Sequence, residues 1–179
     1  MKPIGPLMWE HRLIERMIAL LGAELSSIAE TGKIDDHFLD DVIDFFRTYA
    51  DRCHHGKEED ILFRELGTKP LLAEHKAIMD GLIEDHVLAR NTIERLCVAR
   101  QRYMAHQGSL NDVTDCIEII IQLYPEHIEK EDKHFFFPSL QYLSPREQDA
   151  MLAEFREFNS KLIHEIYEKV IKAREGKLE

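Results

Sequence analysis

The sequence predicts an all-α protein, an up-down-up-down four-helix bundle that carries an additional C-terminal helix. Three observations carry that expectation. Apolar residues recur every three or four positions and nowhere alternate strictly, which is the helical period. Only 8 glycines and 6 prolines interrupt 179 residues, too few breakers for a turn-rich β fold. With 44% hydrophobic and 32% charged residues, the chain has the make-up of one ordinary globular domain with a substantial core.

The first helix is expected from Ile4 to about Ala29, stopping near Thr31 and Gly32. The second starts at Asp36, read as its N-cap, and runs to about Phe63, ahead of Gly67 and Pro70. The third covers Leu72 to His106 and closes at Gly108; the fourth spans Asn111 to Phe137 and ends before Pro138. Ser144, Pro145 and Glu147 then read as N-cap, first turn and capping-box partner of a fifth helix. That helix carries Met151, Phe155, Phe158, Leu162, Ile166 and Val170 on one side. Short connections favour antiparallel neighbours. Residues 1–140 are thus expected to form the bundle and 141–179 an accessory helix of the same domain, covering the bundle or pairing two copies as a homodimer.

Charge and hydropathy exclude several classes. Against 34 acidic residues stand 23 basic ones, a formal charge of −11, which argues against a nucleic-acid partner. The longest apolar run, Cys116 to Tyr124, is broken by Glu118 and Gln122 and falls well short of the ~20 residues of a membrane span. Trp9-Glu10-His11-Arg12 interrupts what would be a signal peptide's apolar core, and three scattered cysteines read as reduced thiols. A cytoplasmic protein is expected.

An internal repeat carries the chemistry. His54-His55-Gly56-Lys57-Glu58-Glu59-Asp60-Ile61-Leu62-Phe63 aligns with His127-Ile128-Glu129-Lys130-Glu131-Asp132-Lys133-His134-Phe135-Phe136. Glu10-His11-Arg12-Leu13 likewise aligns with Asp85-His86-Val87-Leu88. Each half therefore holds a lone helical histidine followed by a His-x3-Glu pair. At about 100° per residue, His11, His54, His86 and His127 all fall inside apolar stripes. His55 and Glu59 fall about 100° and 140° away, which selects His54 and Glu58 over their neighbours.

A single inward histidine is usually a hydrogen-bonded core residue. Four histidines and two carboxylates at one level are different, because each buried carboxylate costs several kcal/mol unless paired or metal-bound. Imidazole and carboxylate without thiolate suit iron, manganese or zinc. The six ligands His11, His54, Glu58, His86, His127 and Glu131 are too many for one tetrahedral zinc and suit two ions bridged by Glu58 and Glu131. Ferritin-like bundles use Glu-x-x-His instead.

The pattern resembles the hemerythrin family, the HHE cation-binding four-helix bundles, over about residues 7–138. The resemblance rests on His54-x3-Glu58, the Lys-Glu-Glu-Asp-Ile-Leu-Phe run after His54, and His127-x3-Glu131. It implies a non-heme di-iron centre with an oxygen bridge and bridging carboxylates, to which the six residues match as ligands. The oxygen carriers of the family place a further histidine four residues after the one in the third helix, where this chain has Arg90, and their last carboxylate comes one residue later than Glu131. The resemblance therefore implies two evenly under-coordinated irons that bind O2, NO or peroxide in a redox, sensing or iron-centre repair role. Reversible O2 storage and a dinuclear zinc protein are the alternatives.

Around the six, Glu15 and Arg90 lie four residues after His11 and His86 and are expected to pair across the pseudo-two-fold axis, Glu15 being alternatively a ligand itself. Tyr124 lies near the inward stripe and is the better placed of two tyrosines to reach a small ligand, Tyr49 lying off it. His134 shares the stripe of His127 as an alternative ligand or as lining of the bundle end, and Pro125 is expected to kink or bulge the fourth helix ahead of His127.

Overall fold

Apolar periodicity this regular folds into helices throughout. The computed structural model describes the backbone of residues 2–175 and the side chains of residues 2–162. Five long helical stretches and no strand occur among the described residues. The first helix, Ile4–Thr31, ends at Gly32, whose φ of 67° is the left-handed conformation that glycine adopts without a Cβ penalty; its N–H closes on the Ile28 carbonyl. The second helix runs continuously over residues 36–66. Asp35, one residue before the expected cap, accepts from Phe38 N–H.

The third helix, Ala73–Met104, closes differently from expectation. His106, not Gly108, takes the left-handed conformation, with φ at 58°. Gly108 is needed instead for close approach, since a Cβ there would lie 2.8 Å from Arg102 Cβ. The fourth helical stretch starts at Leu110 behind a Ser109–Asp112 capping box and continues past the expected stop to Ser139. Pro138 is accommodated because it falls in the short segment Phe136–Ser139, just after the regular hydrogen-bond ladder has been broken. The fifth helix, Pro145–Glu175, begins at the expected box: Ser144 N–H donates to Glu147 Oε2 at 2.7 Å, and Glu147 N–H to Ser144 Oγ at 3.3 Å. Met151 and Phe155 pack into the core and Phe158 against it, while Ile166 and Val170 lie outside the described side chains.

Two apolar clusters fill the bundle. One gathers Ile14, Ile18, Phe46, Ile93, Ile117 and Ile120; the other gathers Leu7, Ile61, Leu82, Phe135 and Phe136 with the fifth helix. On every one of the four bundle helices the polar residues of the repeat fall between the two, so a buried charged layer is sandwiched between greasy ends.

Candidate metal centre

Local winding sets the orientation of the repeat motifs. Residues Phe46–His55, Glu58–Phe63 and Lys130–Phe135 are wound as π-helix: Gly56 N–H reaches Asp51 carbonyl, Arg64 N–H reaches Glu59 carbonyl and Phe136 N–H reaches Glu131 carbonyl, each five residues back. Each such turn takes up about one extra residue, which rotates the downstream side chains by about 100° relative to an ordinary helix.

The result brings the six predicted residues together in the buried layer, none more than 3% exposed. His11 Nε2 faces His54 Nε2 at 3.0 Å, and His86 Nε2 faces His127 Nε2 at 3.2 Å. The glutamates span the two pairs. Glu58 puts Oε1 3.3 Å from His54 Nε2 and Oε2 3.4 Å from His86 Nε2. Glu131 Oε2 lies 3.0 Å from His11 Nε2 and 3.3 Å from His127 Nε2.

The outer nitrogen of every one of these histidines meets a carboxylate, and every such carboxylate is backed by a cation. His54 Nδ1 lies 3.0 Å from Glu10, which the buried Lys57 grips; His127 Nδ1 lies 3.3 Å from Asp85, which Lys130 holds at 2.8 Å. His11 Nδ1 lies 2.8 Å from Asp132, paired with Arg12, and His86 Nδ1 lies 2.7 Å from Glu59, paired with Arg90. This explains the rest of the repeat. The acidic residue before each lone histidine (Glu10, Asp85) orients the partner histidine, the Lys three residues after that histidine neutralises it, and the acidic residue after each glutamate (Glu59, Asp132) orients the lone histidine.

These contacts favour one tautomer of each neutral histidine. A histidine donating Nδ1–H to a carboxylate turns the bare lone pair of Nε2 inward. Wherever those rings are neutral, such lone pairs face one another, together with four carboxylate oxygens of Glu58 and Glu131 that have no hydrogen-bond partner among the described residues. Only something positive between them, a proton or a metal ion, makes the arrangement tolerable. Burial and the neighbouring Glu131 push the Glu58 carboxyl well above the usual range. Burial opposes charge on Glu131 too, but His127 and His11 outweigh it and hold its carboxyl low. Burial would lower His127; Glu131 and Asp85 instead carry it up to about 9. Nitrogen and oxygen donors without thiolate fit the hard-to-borderline cations that imidazole and carboxylate hold. Two fourfold convergences result: His11, His54, Glu58 and Glu131 in one, and His55, Glu58, His86 and His127 in the other, with the donor atoms of each set within 4.8 Å of one another.

Five expectations about the surroundings are corrected. His55 does not lie off the inward face; it is 1% exposed, because the wide turns rotate it into the layer beside His54. Glu59, likewise set aside by the helical wheel, is the partner of His86. Glu15 does not pair with Arg90: its side chain is 42% exposed and reaches back one turn to Arg12 at 3.1 Å, while Arg90 bonds Asp51 and Glu59 on the neighbouring helix. His134 is exposed, because the wide turn from Lys130 swings it out of the stripe that His127 occupies. Pro125 sits in the regular part of the fourth helix, and the bulge comes later, from Lys130.

The two tyrosines differ as their positions on the wheel suggest. Tyr124 is buried with its ring stacked 6.2 Å from that of His55, and burial pushes its hydroxyl far up. Tyr49 is half-buried, its hydroxyl has no hydrogen-bond partner among the described residues, and burial with Glu10 nearby pushes it up to about 12.

No helix among the described residues is long and apolar enough to cross a membrane. Comparison with curated proteins and with solved structures finds no match. Comparison with protein families finds one, the hemerythrin HHE cation-binding domain, over residues 3–138. That span takes in all four bundle helices and both copies of the repeat, and with the His/Glu layer they enclose it shows that this chain belongs to the hemerythrin HHE cation-binding family.

Proposed function

We propose that the chain holds two iron ions in an up-down-up-down bundle, one between His11 and His54 and one between His86 and His127, with Glu58 and Glu131 bridging, and uses them to bind O2, NO or peroxide. The role is redox, sensing or iron-centre repair, in the cytoplasm. The observation that carries this reading is the pairing of bare Nε2 atoms, His11 with His54 and His86 with His127, spanned by glutamates that find no protein donor among the described residues. The iron supplies one-electron chemistry and affinity for small ligands. The chain supplies orientation, through Glu10, Glu59, Asp85 and Asp132, and a layer closed to bulk water at both ends by apolar clusters.

Metal analysis of protein purified without oxygen tests it, with two irons per chain expected. Two zincs would replace it by a dinuclear zinc protein, and no metal would overturn it. An O2 adduct that forms and fully reverses as the pressure is lowered would identify an oxygen store instead.

A further inference from the structure

His55 lies in the same buried layer as the six residues, and neither of its ring nitrogens makes a hydrogen bond among the described residues. A buried imidazole with both nitrogens unpaired costs more than an apolar ring of the same shape, so packing alone is a poor reason for a histidine here. The repeat also shows what packing uses. Phe63 stacks on His86 with the planes 11° apart, and its counterpart Phe136 stacks on His11, again at 11°. His55 adds a second ring to His86, with centroids 3.8 Å apart, and the other half of the repeat has nothing equivalent, because Ile128 follows His127.

The surroundings of His55 follow the pattern of the four paired histidines. Each of those turns Nδ1 to a carboxylate that a cation backs and Nε2 to the centre. His55 turns Nδ1 toward Asp51, with Oδ1 at 3.5 Å, and Arg90 holds that same oxygen at 2.6 Å. Nε2 is thereby left for the interior. There a donor atom of His55 converges to within 4.8 Å of donor atoms of Glu58, His86 and His127. Arg90 serves both stacked rings, since its other contact is Glu59, the partner of His86. Stacking is compatible with a shared ion. Imidazoles on neighbouring corners of one ion have their nitrogens about 3 Å apart, a span that two facing rings reach by tilting together at that edge.

We propose that His55 is a further metal ligand, supplying a third imidazole, through Nε2, to the ion held by His86 and His127. The proposal rests on the two-metal reading above and makes the two ions unequal, three imidazoles on one against two on the other. Cobalt(II), titrated into the full chain after metal removal, is the probe, because the N–H of an imidazole bound to this paramagnetic ion gives a shifted, solvent-exchangeable NMR signal that can be counted. With two cobalts bound, five such signals are expected, one each for His11, His54, His55, His86 and His127. Four signals would overturn the proposal and leave the two-metal reading standing. His55→Phe keeps a flat ring in the stack and removes the donor. It is expected to lose one signal and to bind one of the two cobalts about a hundredfold more weakly; unchanged affinity would overturn the proposal. If that variant does not fold, the signal count on wild type alone decides. A wild type that takes up one cobalt would sink the two-metal reading instead, and the proposal then stands only if His55→Phe removes a signal from that single site. No cobalt at all would overturn both.

Discussion

Lys57, with no exposed surface at all, closes on the carboxylate of Glu10 inside the bundle, and Glu10 in turn lies 3.0 Å from His54 Nδ1. The repeat places Lys130 and Asp85 in the same relation to His127, but there the lysine side chain is 46% exposed. One half of the centre thus rests on a sealed ion pair and the other on a wet one. Truncating Lys57 strands a buried carboxylate, so Lys57→Met is expected to cost about 3–5 kcal/mol. Lys130→Met, screened by solvent, is expected to cost less than about 1 kcal/mol. Urea unfolding of the two variants beside wild type measures the difference, and equal losses would contradict the asymmetry.

Metal removal should expose the repulsion among the inward-facing donors. Chelation is expected to lower the melting temperature, because four lone pairs and two carboxylates lose the charge that holds them together. Glu58→Gln should act with opposite signs on the two forms: it weakens metal retention, yet it raises the stability of the metal-free protein by removing a carboxylate that burial and Glu131 disfavour. Calorimetry of both forms, with metal content determined on the same samples, checks the sign reversal.

Gly56 offers a sharper structural test. In an ordinary helix Gly→Ala stabilises by up to about 1 kcal/mol. Here an added Cβ would lie 2.7 Å from the tip of the Phe158 ring, so that ring, or the fifth helix that carries it, has to give way. Gly56→Ala is expected to destabilise by about 1–3 kcal/mol. The double variant Gly56→Ala with Phe158→Leu should recover most of the loss. Chemical denaturation of the three proteins decides it.

Acid stability has a contributor far from the centre. The ion pair with Lys69 and the hydrogen bonds from Ser144 hold the Glu147 carboxyl down to about 2, from an ordinary value of 4.5. A carboxyl held below its unfolded value adds stability that is complete above about pH 4.5 and is lost as the pH falls through about 2. Glu147→Gln is therefore expected to melt earlier than wild type at about pH 6, with the gap closing between about pH 4.5 and 2. Thermal melts across that window check it, and a gap that widens toward low pH would contradict the assignment.

Much of this was legible in the chain. The helical period gives the helices, Ser144-Pro145-Arg146-Glu147 gives the start of the fifth, and the duplicated His-x3-Glu with its two lone histidines gives the six residues that meet in the buried layer. His55 and Glu59 escaped because a wheel at about 100° per residue assumes regular winding, and the winding widens at that point. A signal was present nonetheless. Lys57 and Lys130, Glu59 and Asp132, Glu10 and Asp85 recur in register with the histidines, and charges repeated at fixed places are better explained by partners than by solvent. Glu15 misled for the opposite reason: four residues from His11 is about 40° round the helix, enough for a long side chain to leave the interior for Arg12.

The contact between Phe158 and Gly56 has a mechanical side. Gly56 sits between His55 and Lys57, at the seam of two loosely wound segments, and the aromatic ring above it occupies the room into which that seam would otherwise relax. Lifting the last helix, by a protease cut near Ser144 or by a competitor for its apolar face, slackens the very stretch of chain that carries His54, His55, Lys57 and Glu58, all four buried. The tail is in effect a finger on the knot, and what pulls on it is felt in the middle of the protein.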